Sequence, residues 1–367
     1  MSLQPRPEIE NLESCPHGGP NWAELKALGL TPEEVIDFSV SSNPFAPPPG
    51  IKEILCTTAI DRYPDSEATE LRQRLSEKLG VMPNNILAGN GSMEIIRLIA
   101  SAYFRQGDCA LILEPTFGEY EIACQIAGMK VIKQRGKAEA NFAPNIEETT
   151  RLIQRHRPRG IFICNPNNPT GNYLSRREIE MILDGGKDSL LILDEAFVAF
   201  VDEDWSSMEL ISRDNVILVR SMTKDYGLAG LRLGYAVAHR DIIENLQRIC
   251  PPWNVNVMAQ VAGIAVLESV GWLEQCKLKI TEAKQFLIKE LHRLGFTTVP
   301  SPVNFFLVKV GDARAFRTAL LKHGIMVRDC TSFGLSEYVR IAVRTMPECQ
   351  KFIAAVQTLK DDGGLRK

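Results

Sequence analysis

From Ser66 onward, Leu71, Leu75 and Leu79 recur at four-residue spacing and stop at Gly80, which predicts a helix with Ser66 as its N-cap. Beyond it, short apolar runs at 110–113, 131–132, 161–164, 190–193, 216–219 and 234–238 alternate with stretches of helical period. Runs of this kind are buried on both faces, so the pattern predicts an α/β fold whose central sheet is mostly parallel and covered by helices on both sides. After about Asp241 the pattern changes. Helical segments continue to Leu294, apolar runs at 305–308, 325–327 and 339–343 predict three strands, and a last helix is expected around 352–359. The expected organisation is an N-terminal arm over 1–49, rich in Pro and Gly and packed on the small domain, a large domain over 50–240 and a smaller α+β domain over 241–367.

Composition narrows the chemistry. A chain of 367 residues is long for one core, which agrees with two domains. A net charge of −3 argues against a nucleic-acid or anionic-membrane surface and leaves small-molecule chemistry. The nine cysteines are scattered without a C-x-x-C pair, as expected of reduced core residues in a cytoplasmic protein. The five histidines include no H-x-x-x-H, so no metal site is expected. No apolar run approaches the roughly 20 residues of a membrane helix. The opening Met1-Ser2-Leu3-Gln4-Pro5 lacks a signal-peptide core, so secretion is not expected.

The candidate chemistry follows the strands. Gly89-Asn90-Gly91-Ser92 precedes the periodic Ile95, Ile96 and Ile99, so the free amides of a helix start, with Ser92 and Met93, are available to a phosphate. Phe117 in the next turn is an aromatic suited to stacking on a planar ring. In Asn165-Pro166-Asn167-Asn168-Pro169-Thr170-Gly171, two X-Pro steps rigidify a turn that aims Asn168 as a donor. Asp194 ends a wholly apolar run, where a carboxylate is costly unless paired with a cation such as a protonated heterocycle. Ser221-Met222-Thr223-Lys224 then sets an amine near Arg232, a pairing that lowers the amine's proton affinity and lets it attack a cofactor aldehyde. Arg232 offers paired donors to a phosphate.

In this order, Gly-Asn-Gly, Asn-Pro-Asn-Asn-Pro-Thr-Gly, Asp-Glu-Ala-Phe, Ser-x-Thr-Lys and Gly-Leu-Arg, the chain resembles the fold-type I aminotransferase superfamily over nearly its whole length. The resemblance implies pyridoxal 5'-phosphate as cofactor, Lys224 as the lysine that carries it, Asp194 on the ring nitrogen and Asn168 on the ring hydroxyl. It implies that Ser221, Thr223 and Arg232, with the backbone of Ser92 and Met93, surround the phosphate, and that Arg340 takes a substrate carboxylate. It also implies a homodimer in which Tyr63 reaches the partner's site. Two branches of that superfamily are similar, histidinol-phosphate aminotransferases and the threonine-phosphate decarboxylase of the cobalamin pathway. His17-Gly18-Gly19, Asn43-Pro44, Pro252-Trp253-Asn254-Val255-Asn256, Val327-Arg328-Asp329-Cys330 and Phe197 resemble the second.

The expectation is therefore decarboxylation of L-threonine O-3-phosphate to aminopropanol phosphate, with transamination of histidinol phosphate or a related amino acid as the alternative. Either substrate is a small phosphorylated amino compound, expected to meet His17, Asn43, Asn168, Arg328, Arg340 and Arg344. Arg344 lies four residues beyond Arg340, so one strand would present both on one side. A DNA-binding regulator is disfavoured, because the residues ahead of the cofactor domain are too few and too rich in proline for a helix-turn-helix. A nicotinamide dehydrogenase is disfavoured by the lack of G-x-G-x-x-G after the first strand.

Overall fold

The computed structural model describes residues 3–10, 12–202 and 205–361. Its central sheet has seven strands, β1 (Ile86–Asn90), β2 (Cys109–Glu114), β3 (Lys130–Arg135), β4 (Gly160–Cys164), β5 (Leu190–Asp194), β6 (Val216–Ser221) and β7 (Leu233–Ala238), in the order β1-β7-β6-β5-β4-β2-β3. Only β7 runs against its neighbours. The apolar runs are continuous because both faces are covered. Leu191, Leu193, Val216 and Leu218 pack toward the helices Thr69–Leu79 and Arg176–Gly185, while Leu190, Ile192, Ile217 and Val219 pack toward Gly91–Tyr103 and Arg240–Gln247.

The first predicted helix begins at Thr69 instead of following Ser66. The N-cap position is Ala68, and Asp65, three residues before it, accepts from the Thr69 and Glu67 amides at 2.6 and 3.1 Å. The expected boundary at 240/241 also falls too early. Ile242, Ile243 and Leu246 join the core that contains Ile217, and Val257–Leu267 packs Ala259, Ala262 and Val266 on Leu71 and Leu75. The chain leaves the large layer at the long helix Trp272–Arg293, where Trp272 touches both cores.

The smaller unit is built on four strands, β8 (Thr297–Thr298), β9 (Phe305–Lys309), β10 (Arg328–Asp329) and β11 (Tyr338–Ala342), in the order β10-β11-β9-β8, backed by Trp272–Arg293 and Met346–Asp361. The expected strand at 325–327 is shorter. Ile325–Met326 pairs in parallel with Ile36–Asp37 of the arm, so part of the arm is stitched into this unit. Leu25 of the arm packs on Leu321 and Met326, and Arg317 holds Glu24 through two hydrogen bonds of 2.7 and 2.6 Å. All nine cysteines are free thiols. Among the described residues, no single helix is long and apolar enough to cross a membrane.

Candidate active site

Asn90, Cys164, Asp194 and Ser221 end β1, β4, β5 and β6 at the same edge of the sheet, and the reversed β7 starts there just after Arg232. Ligands collect at this edge in open α/β sheets. A cavity of about 340 Å³ opens on it, bounded by the large layer, the small unit and the arm. It gathers Ser92, Met93, Phe117, Asn168, Asp194, Ser221, Thr223, Lys224 and Arg232, which are separated by up to 140 positions in the chain, together with His17, Arg328 and Arg340.

The floor is a charge pair held apart. Asp194 is 4% exposed, and burial pushes its carboxyl up to about 6, against the opposing hydrogen bonds from the Tyr120 hydroxyl at 2.7 Å and the Ala196 amide at 3.0 Å. Lys224 is pushed down to about 8, first by burial and then by the positive fields of Arg340 and Arg232. The sequence had pointed to Arg232 as the source of this shift. Folding adds Arg340, which lies 116 positions further along. Phe197 brings its ring to 5.8 Å from the Lys224 amine and packs on Phe305 with ring centres 4.8 Å apart.

The phosphate end is shaped by glycines. Gly91 has φ +73°, and a Cβ there would come within 2.8 Å of an Arg232 Nη. At Gly234 a Cβ would lie 2.6 Å from the Ser92 amide nitrogen. The helix Gly91–Tyr103 can therefore bring its first turn close to Arg232 and to the start of β7. The Ser221 and Thr223 hydroxyls share a hydrogen bond of 2.7 Å. Glu94 accepts from the Asn90 amide at 2.7 Å and the Asn254 side chain at 2.6 Å, which fixes this corner.

The proline-rich turn divides its asparagines. Asn165 exchanges hydrogen bonds with the Leu174 backbone, and Asn167 binds Pro115 O, Thr116 and Thr170. Only Asn168 faces the cavity, where it accepts from Arg340 Nη1. Arg340 also donates to Ser39 O at 2.7 Å. Arg328 is its cross-strand partner between β10 and β11, and donates to Pro16 O at 2.6 Å and Ser332 at 2.8 Å. Two buried guanidiniums thus sit opposite one another, giving these hydrogen bonds to neutral oxygens. Like charges so placed repel, and an anionic ligand relieves the repulsion.

Three expected residues stand elsewhere. Asn43 is buried behind the site, donating to Asp225 O at 3.0 Å while its own amide donates to Lys224 O at 2.7 Å, so it anchors the lysine's backbone without facing a substrate. Arg344 lies outside the cavity and pairs with Glu348 at 3.1 Å, because β11 ends at Ala342 and the alternation that would align it with Arg340 stops there. Tyr63 is 78% exposed and stacks on Trp253 with ring centres 4.3 Å apart, away from the cavity of its own chain. Two contributors had not been singled out for a role. Tyr120 lies in the first turn of the helix Glu119–Ile126 with no signal of its role, and Glu119, which holds His17 at 2.9 Å and Arg97 at 2.7 Å, shows no periodic signal at all.

The residues fit pyridoxal phosphate on the chemistry of the donor set. A buried carboxylate that makes no ion pair among the described residues suits a protonated ring nitrogen, a depressed amine suits an aldehyde, and the glycine-lined helix start with Arg232 suits a phosphate. Comparison with known proteins agrees. Residues 33–356 match the family described as aminotransferase class I and II. The chain is 35% identical over 363 residues to a histidinol-phosphate aminotransferase of Moorella thermoacetica, covering 96% of this chain and 92% of that one. It is 30% identical to the solved L-threonine-O-3-phosphate decarboxylase of Porphyromonas gingivalis, with a TM-score of 0.78 over 88% of this chain and 99% of that one. A histidinol-phosphate aminotransferase of Sinorhizobium meliloti, solved in complex with pyridoxal-5'-phosphate, shares the fold at a TM-score of 0.89 and 23% identity over 99% of each chain. The chain belongs to the class I and II aminotransferases, within the fold-type I superfamily of pyridoxal-phosphate enzymes.

Proposed function

We propose that this protein is an aminotransferase acting on a small phosphorylated amino compound of the histidinol phosphate class, as a homodimer. The observation that carries the reading is the cross-strand pair Arg328 and Arg340, two buried cations facing one cavity that also holds Lys224. One guanidinium suits a phosphate and the other the carboxylate of an amino acid or keto acid, which a transaminase must seat in turn. The 35% identity to the Moorella enzyme supports this reading ahead of the decarboxylation expected from sequence motifs.

Pyridoxal phosphate, once bound, supplies an electron sink into which a bond at the substrate's α-carbon can break. Lys224 would hold the cofactor through its amine, and the same amine would take and return the proton at the substrate's α-carbon. Asp194 keeps the ring nitrogen protonated, with Tyr120 orienting the carboxylate. Asn168, which steadies Arg340, would meet the ring hydroxyl, Ser92, Met93, Ser221, Thr223 and Arg232 would hold the phosphate, and Phe117 would offer its face to the ring. His17 and Arg328 close the phosphate end of the substrate with the arm. Tyr63, exposed on its own chain, would reach the phosphate of the partner's cofactor in such a dimer.

Decarboxylation of threonine phosphate is the second reading. It is favoured by Phe197, which offers no hydroxyl to the ring oxygen, and by the 30% identity to the Porphyromonas decarboxylase. The test supplies histidinol phosphate with 2-oxoglutarate in one reaction and threonine phosphate alone in another. Glutamate formation in the first supports transamination. Carbon dioxide from the second, without glutamate from the first, overturns it.

A further inference from the structure

Folding brings Cys15 and His17 of the arm against Glu119, the first residue of the helix Glu119–Ile126, with ligand atoms all within 4.8 Å of one another. We propose that these three side chains bind a cation of the Zn²⁺ class at the rim of the cavity and thereby clamp the arm to the large layer. Cys15 and His17 line the cavity, so the site is an extension of its mouth. No spacing in the sequence signals it, because the third ligand is 102 positions from His17.

The donor set selects the metal. Sulfur, imidazole nitrogen and one carboxylate oxygen suit a borderline ion with four ligands, and they disfavour Mg²⁺ or Ca²⁺, which take oxygen. Glu119 is held ready for this role. Its Oε2 accepts from Arg97 at 2.7 Å, which fixes the carboxylate and leaves Oε1 toward His17 Nε2 at 2.9 Å. The Cys15 sulfur makes a long contact of 3.7 Å to Pro16 O and lies against the Gly118 backbone, which supports its thiolate form and where a Cβ would come within 2.7 Å of it. That glycine leaves room for sulfur at the helix start.

Binding replaces one His-to-Glu hydrogen bond with three metal-ligand bonds and releases the thiol proton to solvent, so affinity rises with pH. Arg97 and Arg328 oppose a dication and hold the affinity well below that of a structural zinc site. The fourth position stays open toward the cavity. Metal binding withdraws His17 from the phosphate end of the substrate and ties the arm down, and both slow turnover. The inference does not depend on which reaction the enzyme performs.

The test dialyses cofactor-loaded enzyme against micromolar Zn²⁺ and counts the metal retained by wild type, Cys15→Ser and His17→Gln, with the visible cofactor band as the check that each variant is folded. Wild type is expected to hold one equivalent more than either variant. Its zinc X-ray absorption should contain one sulfur at about 2.3 Å, and its turnover should fall several-fold on loading and return with a chelator. Equal metal in wild type and either folded variant, or a spectrum without sulfur, overturns the site. Turnover unchanged by bound zinc overturns the clamp.

Discussion

Lys224 and Asp194 are moved toward neutrality by the same dry floor, the amine down to about 8 and the carboxyl up to about 6. The neutral amine is the nucleophile, so the rate at which apoenzyme captures pyridoxal phosphate should rise about tenfold from pH 7 to pH 9 and level off above it. Stopped-flow absorbance measures this directly. For stability the sign is set by Asp194. Between about pH 4 and 6 the native carboxyl keeps a proton that the unfolded chain has lost, so cofactor-free protein is stabilised at low pH and loses that stability as pH climbs through about 6. A melting series without cofactor should show this fall, to which the buried Asp225, pushed up to about 7, adds its own, and cofactor should remove the share due to Asp194. Tyr120→Phe removes the 2.7 Å hydrogen bond that favours the charged carboxylate. Cofactor affinity should drop five- to tenfold, about 1 kcal/mol, in an equilibrium titration, with little loss of fold because the ring stays packed on Phe162. Asp194 is legible because it ends an apolar run, and Lys224 because it stands just past a buried strand with Arg232 eight residues on. Tyr120 is not, since its bond joins a helix to a strand end 74 positions away.

At the scale of elements, strands with both faces covered announced themselves as unbroken apolar runs, and all six runs lie in the central sheet. The shorter strands of the small unit gave weaker signals. A two-residue strand such as β10 has no period to read, and its pairing of Arg328 with Arg340 is a fact of register alone. The reasoning that placed Arg344 beside Arg340 was sound for a longer strand and failed because β11 ends two residues earlier. The approach of the helix Gly91–Tyr103 to β7 depends on its glycines. Gly91→Ala puts a methyl both in a left-handed conformation and against Arg232, so it should weaken cofactor binding at least tenfold and cost about 1–2 kcal/mol of stability. Titration of the visible band and denaturant unfolding separate the two effects.

For the whole molecule, the boundary between units was misjudged because helices follow one another without a break in pattern. Helical period says nothing about which core a helix covers, and Val257–Leu267 returns to the large layer. The arm reads as irregular chain, yet it supplies a strand to the small unit and carbonyls to Arg328 and Arg340. Tyr63 stacks on Trp253 away from its own subunit's cavity. If it serves the partner's site, mixing Lys224→Ala with Tyr63→Ala should restore activity that neither variant has alone, because hybrid dimers contain one intact site. Activity no greater than the sum of the separate variants would place Tyr63 outside the catalytic assembly.

The account rests on the amine of Lys224 capturing the cofactor aldehyde while Asp194 faces the ring. Borohydride reduction of the cofactor-loaded protein, followed by peptide mass spectrometry, tests this most directly. The pyridoxyl phosphate mass should be found on the peptide that contains Lys224 and be absent from the Lys224→Ala variant. A label on another lysine, or an adduct that survives in the variant, would contradict it.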